Sequence, residues 1–162
     1  MRILVFLHGT LIMHKNALGK SREERVKQSV LRELSVLDYR SYIPIGNTVK
    51  KLDKWKKQGA EIIYFSSHEN ISDINKDNFV LRKYKFPPGK VAFRKNNEKY
   101  KDVVERIILD ILIEDDCESI GGKREMSITY IKLEIKRKIK LIVVKEFTGI
   151  DNLTDNLDLF FE

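Results

Sequence analysis

The chain of 162 residues has little cysteine, little proline and no long apolar run. Cys117 is the only cysteine, which excludes an internal disulfide and any zinc site built from several cysteines. The apolar run at residues 3–7 is too short for the core of a signal peptide, and no run approaches the ~20 apolar residues of a membrane-spanning helix. These absences predict a cytoplasmic protein with no membrane partner.

Positive charge is in excess, with 31 Lys and Arg against 24 Asp and Glu and a formal net charge of +7. Such a surplus favours anionic partners, among them phosphorylated metabolites, nucleotides and nucleic acids. It also suits an ordinary lysine-rich surface. The lysines are scattered along the chain, so a nucleic-acid-binding module has only the charge in its favour. The oligomeric state does not follow from the composition.

Short apolar runs alternate with amphipathic segments along the chain. This order predicts an α/β fold, a three-layer sandwich around a parallel, Rossmann-like sheet of about five strands. The predicted strands lie at residues 3–7, 61–65, 91–93, 111–113 and 141–144. The predicted helices lie at about residues 48–58, 71–84, 98–109 and 131–137, with a short one from about residue 151. With 42% hydrophobic residues, the chain has enough apolar material for one core.

The segment of about residues 13–45 separates the first strand from the first crossover helix. Ser21 and Glu24 predict a helix that begins with a capping box. We interpret the segment as a small insertion above the carboxyl edge of the sheet. An ordinary extra helix packed on the sheet is the alternative. His14, in the predicted loop at the start of the segment, is expected to be a surface residue.

Polar residues follow three of the predicted strands. Because the carboxyl ends of parallel strands share one edge of the sheet, these side chains are expected to meet there. The stretches after strands one, two and four are His8-Gly9-Thr10, Ser66-Ser67 and Glu114-Asp115-Asp116. Two lysines, Lys99 and Lys101, precede the fourth strand.

This ordered set resembles the four motifs of the haloacid dehalogenase-like (HAD) superfamily of phosphatases and phosphotransferases. In that superfamily an Asp-x-Asp-Gly-Thr turn follows strand one, a Ser or Thr ends the next core strand, a Lys precedes the fourth, and two acids end it. The resemblance implies a single HAD-like domain over residues 1–162 with a small cap at about 13–45. It implies a small phosphorylated ligand, such as a nucleotide.

The resemblance also implies roles for particular residues. The residues implied to bind phosphate are Gly9, Thr10, Ser66, Ser67 and Lys101, with Lys99 as the alternative lysine. The residues implied to bind Mg²⁺ are Glu114, Asp115 and Asp116. Either Glu114 and Asp115 or Asp115 and Asp116 form the superfamily's acidic pair.

The first motif departs from the superfamily. Aligning Gly9-Thr10 places Phe6 where the superfamily has its nucleophilic aspartate and His8 where it has its acid–base aspartate. A phenyl ring can neither attack phosphorus nor bind Mg²⁺. The usual aspartyl-phosphate chemistry is therefore predicted to be absent.

His8 has four roles open to it. It can act as a general acid or base, because histidine titrates near neutral pH, or as a nucleophile that forms phosphohistidine. It can bind a transition metal with His68 and with Glu114 or Asp115, or it can be a structural turn residue.

Two functions follow. In the first, the protein lacks the usual phosphatase activity but keeps a phosphate- and metal-binding pocket. In the second, it is a divalent-metal-dependent phosphatase or phosphotransferase that works by a non-aspartyl mechanism. Each function predicts a pocket at the carboxyl ends of the strands.

Overall fold

A five-stranded parallel sheet forms the centre of the molecule, in a computed structural model that describes residues 1–162. The strand order is β5-β4-β1-β6-β7. The strands are β1 Arg2–Phe6, β4 Glu61–Phe65, β5 Lys90–Ala92, β6 Ile111–Asp115 and β7 Lys140–Val144. Helices flank the sheet, so the predicted α/β class and three-layer, Rossmann-like arrangement are confirmed. All five predicted strands are present, with bounds shifted by one or two residues.

The three central strands, β4, β1 and β6, are buried on both faces, as a parallel sheet covered by helices requires. In β1, Ile3 and Val5 belong to a cluster of 19 buried residues that includes Trp55 and Leu81. Leu4, between them, points to a second cluster that includes Val103. The alternation explains why the strands read as continuous apolar runs.

The helices follow the predicted amphipathic segments. Their bounds are α1 Arg22–Val30, α2 Leu34–Leu37, α3 Thr48–Lys57, α4 Ile71–Lys83, α5 Tyr100–Arg106, α6 Ser127–Tyr130 and α7 Leu133–Lys136. The longest, α4, has 13 residues, and no helix has the length and apolar character that crossing a bilayer requires.

Two predicted helices differ from the structure. The helix expected over residues 131–137 is shorter in the structure, where α7 spans Leu133–Lys136, because Ile131 and Lys132 are not helical. The Lys132 N–H donates to Glu105 Oε1 at 2.9 Å, so it is not available to a continuous helix. The C-terminal helix is one 3₁₀ turn, Leu157–Phe160, in which Phe160 packs against Trp55.

The segment 13–45 forms structure of its own beside the central sheet. Strands β2 Ile12–Met13 and β3 Ile43–Pro44 pair antiparallel in a separate two-stranded sheet. Helix α1 begins with the predicted capping box: Glu24 N–H donates to Ser21 Oγ at 3.2 Å, and Ser21 N–H donates to Glu24 Oε2 at 2.8 Å.

The prediction that His14 is a surface residue is wrong, because the side chain is buried. It is 1% exposed, its Nε2 lies 2.9 Å from Gln28 Oε1, and its ring packs edge-on against Phe147. The hydrogen bond to Gln28 satisfies the imidazole where the loop passes beneath α1.

Candidate functional site

The turn after β1 builds the floor of a cavity of about 170 Å³ at the carboxyl edge of the sheet. Gly9 has a φ of +81°, a conformation that glycine adopts without strain. A Cβ atom on Gly9 would lie 3.0 Å from Asp115 Oδ2 and 3.1 Å from Glu146 Cγ. Glycine therefore lets the β1 turn approach the acids after β6 and β7.

Phe6 lines this cavity at the end of β1. Its ring packs 4.5 Å from the Phe65 ring and 5.6 Å from the Tyr100 ring, centroid to centroid. The position aligned with the superfamily's nucleophile thus contributes an aromatic surface to the cavity wall.

Asp115 lies at the end of β6 and is 5% exposed. Thr10 Oγ1 donates to its Oδ2 at 2.8 Å, and Cys117 N–H donates to its Oδ1 at 2.9 Å. This hydrogen bond joins the turn after β1 to the end of β6.

Asp116 and Glu146 complete a group of three carboxylates with Asp115. One carboxylate oxygen from each residue lies within 4.8 Å of the others. Glu146 N–H donates to Asp116 Oδ1 at 3.0 Å, and Arg22 Nη2 lies 3.1 Å from Asp116 Oδ2. All three ligands are oxygens, so the group suits a hard cation such as Mg²⁺ or Mn²⁺.

Burial shifts the pKa values of two of these acids, Glu146 and Asp115. Burial raises the pKa of Glu146 to about 7. The hydrogen bonds that Ser119 N–H and Oγ–H donate to its carboxylate, at 2.7 Å each, oppose this rise. Burial also raises the pKa of Asp115, and the Asp116 charge adds to the effect. A divalent cation would favour the ionised forms.

Glu114 and Cys117 have different surroundings. The Glu114 carboxylate accepts hydrogen bonds from Ser127 N–H, Ser127 Oγ–H and Ile128 N–H at 2.7–3.0 Å, and it stands outside the group of three. Burial, followed by the Asp115 charge, raises the pKa of Cys117, which disfavours the nucleophilic thiolate.

His8 forms the centre of a hydrogen-bonded chain on the other side of the turn. Its Nδ1 lies 2.6 Å from Ser67 Oγ, and its Nε2 lies 2.9 Å from Asp77 Oδ1. Ser67 N–H also donates to Nδ1, at 3.4 Å, so Nδ1 acts as an acceptor and Nε2–H donates to Asp77. Asp77 is fully buried and accepts a second bond, from Ser66 Oγ–H at 2.5 Å.

His68 packs beside His8, with ring centroids 4.5 Å apart. Its Nε2 is buried without a hydrogen-bond partner, 3.8 Å from Asp77 Oδ1. Burial, and next the neighbouring His8, lower the pKa of His68. The neutral imidazole is therefore favoured.

The two candidate lysines line a neighbouring cavity of about 270 Å³. Lys101 Nζ lies 3.1 Å from Asp102 Oδ1, and both lysines are absent from the lining of the strand-end cavity. Tyr100 and Glu125 belong to both cavities. The basic residues of the second cavity are Arg94, Lys99, Lys101 and Arg124.

The structure therefore brings most of the predicted site residues to one edge. His8, Gly9, Ser67, Glu114 and Asp115 line the strand-end cavity. Thr10 and Ser66 are buried just behind it and hold Asp115 and Asp77, respectively. Their predicted parts in phosphate and metal binding remain predictions.

Three residues of the site were missed by the sequence analysis. Glu146 follows β7 and reaches the same edge, so a search extended to the fifth strand end would have found it. Asp77 lies on the buried stripe of α4 with Ile74 and Leu81, where a charged residue is itself a signal. Arg94 follows β5 and donates to the Ser67 carbonyl oxygen at 3.0 Å.

No known protein-family model matches the chain, and no curated protein sequence matches it. Solved structures do match. A class C acid phosphatase from Bacillus anthracis with tungstate bound has a TM-score of 0.57 and 13% identity, with 91% of this chain and 68% of that chain covered. At this identity the likeness concerns the fold alone, an α/β arrangement shared with that phosphatase.

Two structures of the Pnkp1/Rnl/Hen1 complex, one described as an RNA repair complex, also match. The TM-scores are 0.55 and 0.52, with 16% and 17% identity. The matches cover 90% and 89% of this chain, which spans only 46% and 41% of the matched chains. At these identities the likeness concerns the fold.

Proposed function

We propose that this protein binds a small phosphorylated molecule together with a divalent cation at the carboxyl edge of its sheet, without forming an aspartyl-phosphate. The observation that carries the proposal is the cavity at the strand ends, which combines the acids of a cation site with Phe6 at the nucleophile position. Ligands of parallel α/β sheets bind at this edge.

The cation would be held by Asp115, Asp116 and Glu146. Their oxygens converge, and burial disfavours the charges of Asp115 and Glu146 in the absence of a cation. A Mg²⁺ or Mn²⁺ ion here would supply positive charge toward which a phosphate oxygen can turn.

The phosphorylated ligand would extend from the cation toward the basic cavity. Arg94 and Lys101 line that cavity, and Tyr100 joins it to the strand-end cavity. Phosphate binding by arginine and lysine follows from their charge and donors. The likeness to a phosphatase with bound tungstate, itself an oxyanion, supports a phosphate-like ligand.

The segment 13–45 would act as a small cap within a single domain. Its residues His14, Ser29 and Tyr42 line the strand-end cavity, opposite residues of the central sheet. A cap in this position would limit the size of the ligand.

The test is hydrolysis of an aryl phosphate with Mg²⁺ or Mn²⁺, together with calorimetric titration of the cation. Wild-type protein should bind the cation and show no turnover. A Phe6→Asp, His8→Asp variant should gain turnover that is lost again when Asp115→Asn is added. Wild-type turnover that passes through a phosphorylated aspartate, or no cation binding by folded wild-type protein, would contradict the proposal.

A second function is favoured by the chain of Ser67, His8 and Asp77. Asp77 orients His8, whose Nδ1 can accept a proton from Ser67 or from a water in the cavity. This arrangement would support metal-dependent phosphoester hydrolysis by a non-aspartyl route. Turnover by wild-type protein that is lost in both His8→Asn and Asp115→Asn variants would select this function over binding alone.

A further inference from the structure

The side chains of His8, His68 and Asp77 converge beside the phosphate pocket. His8 Nε2 lies 2.9 Å from Asp77 Oδ1, and His68 Nε2 lies 3.8 Å from the same oxygen. One ligand atom from each of the three residues lies within 4.8 Å of the others. Two imidazole nitrogens and one carboxylate oxygen therefore share one small volume.

The outward atoms of two of these groups are fixed by neighbouring serines. Ser67 Oγ lies 2.6 Å from His8 Nδ1, and Ser66 Oγ donates to Asp77 Oδ2 at 2.5 Å. His68 N–H donates to Ser66 Oγ at 3.1 Å, which ties the third residue to the same pair. Protein metal sites orient their ligands with such outer hydrogen bonds.

The hydrogen bond between His8 and Asp77 leaves the imidazole of His68 without a hydrogen-bond partner at Nε2. Its Nε2 is buried and has no partner, which costs free energy unless something binds it. Neutral imidazole is the form of histidine that binds metals, through a ring nitrogen with a free lone pair. The unpartnered nitrogen faces the oxygen that His8 already contacts.

We propose that His8, His68 and Asp77 bind one transition-metal ion of the Zn²⁺ class. Bonds of about 2.0–2.1 Å in a tetrahedral site separate neighbouring ligand atoms by roughly 3.3 Å. The observed 2.9 Å and 3.8 Å lie on either side of that value. On binding, the His8 proton shifts from Nε2 to Nδ1, and Nδ1–H then donates a hydrogen bond to Ser67 Oγ.

This site differs from the acidic group in its chemistry. Nitrogen ligands select Zn²⁺, Co²⁺ or a similar ion, whereas Asp115, Asp116 and Glu146 offer only oxygen. The proposal does not rest on the proposed function, since it uses none of the three acids. The two sites are therefore separable by substitution.

The experiment uses full-length, untagged protein that has been stripped with a chelator and titrated with Co²⁺, with visible absorption and metal analysis as readouts. We expect one tetrahedral, nitrogen-bound Co²⁺ per chain, identified by its visible absorption and displaced by Zn²⁺, in addition to any Co²⁺ that the acidic group binds through oxygen. His68→Ala and Asp77→Asn should each weaken binding by at least about 100-fold, and Ser67→Ala by about 10-fold.

Two variants serve as controls. Asp115→Asn disables the acidic site and should leave the Co²⁺ spectrum and affinity unchanged. His14→Gln removes the remaining histidine, which is hydrogen-bonded to Gln28, and should also leave the Co²⁺ spectrum and affinity unchanged. Circular dichroism shows whether each variant is folded. If Asp77→Asn does not fold, the His68→Ala variant alone tests the metal site.

Three results would overturn the proposal. They are no Co²⁺ or Zn²⁺ binding by folded wild-type protein, unchanged binding in His68→Ala, and loss of binding in Asp115→Asn with retention in His68→Ala. The last result would assign the metal to the acidic group. Failure of the proposed function would instead appear as absent Mg²⁺ or Mn²⁺ binding, which is measured separately.

Discussion

The substitution Glu146→Gln should remove a large part of the dependence of stability on pH near neutrality. Glu146 is 7% exposed, and Ser119 N–H and Oγ both lie 2.7 Å from its carboxylate oxygens. Glutamine reproduces the shape of the protonated side chain, with its carbonyl accepting from Ser119 N–H and its amide donating to Ser119 Oγ. The variant therefore stands in for the uncharged form at every pH.

The magnitude follows from the pKa of Glu146. A folded-state value of about 7 against an ordinary 4.5, at 1.36 kcal/mol per pKa unit, corresponds to about 3 kcal/mol. An acid whose pKa is raised by folding holds its proton more tightly in the native state. Stability from this group is thus full below about pH 4.5 and is lost as the pH rises through about 7.

The assay is urea unfolding at a series of pH values in the presence of a chelator. Trp55, the single tryptophan and fully buried, reports unfolding by fluorescence. The difference in unfolding free energy between the variant and wild type should grow from near zero at about pH 4.5 to about 3 kcal/mol in favour of the variant near pH 8. Mg²⁺ at the higher pH should stabilise wild type and reduce the difference. Parallel pH profiles for the two proteins would refute the reasoning.

Two further substitutions test contacts that position the site. Thr10→Val should destabilise the protein by about 1–3 kcal/mol at neutral pH, because the buried Asp115 carboxylate loses the donor at 2.8 Å; an unchanged urea midpoint would count against this contact. Ser21→Ala should cost about 1 kcal/mol by removing the N-cap of α1, again measured by urea unfolding, and no loss would mean that α1 is held by other contacts.

The strands were predictable because their burial is recorded in the sequence. Ile3, Leu4 and Val5 alternate between two apolar clusters, so these three consecutive positions of β1 must be apolar. The capping box of α1 was readable for a similar reason, since Ser21 and Glu24 interact over three residues. Local periodicity and local hydrogen bonds are visible in a single sequence.

The site was predictable only where it follows from strand ends. Asp115 meets Thr10 because both follow neighbouring parallel strands. Asp77 meets His8 across 69 residues, from the middle of a helix, and no spacing in the sequence gives that contact. His14 was misplaced for a related reason: its burial depends on Gln28 of α1 folding over the loop.

The distribution of charge in the two cavities implies an order of binding. The lining of the strand-end cavity includes Asp115 and Glu146 but no lysine or arginine, so an anion there meets negative charge until a cation is present. Tungstate or phosphate should therefore raise the melting temperature only when Mg²⁺ or Mn²⁺ is present. At an anion concentration 100 times its dissociation constant, the gain in unfolding free energy should be about 2.7 kcal/mol. The cation alone should stabilise wild type but not Asp115→Asn. Equal stabilisation by the anion in a chelator, abolished by Lys101→Ala, would instead place the anion in the basic cavity without the cation.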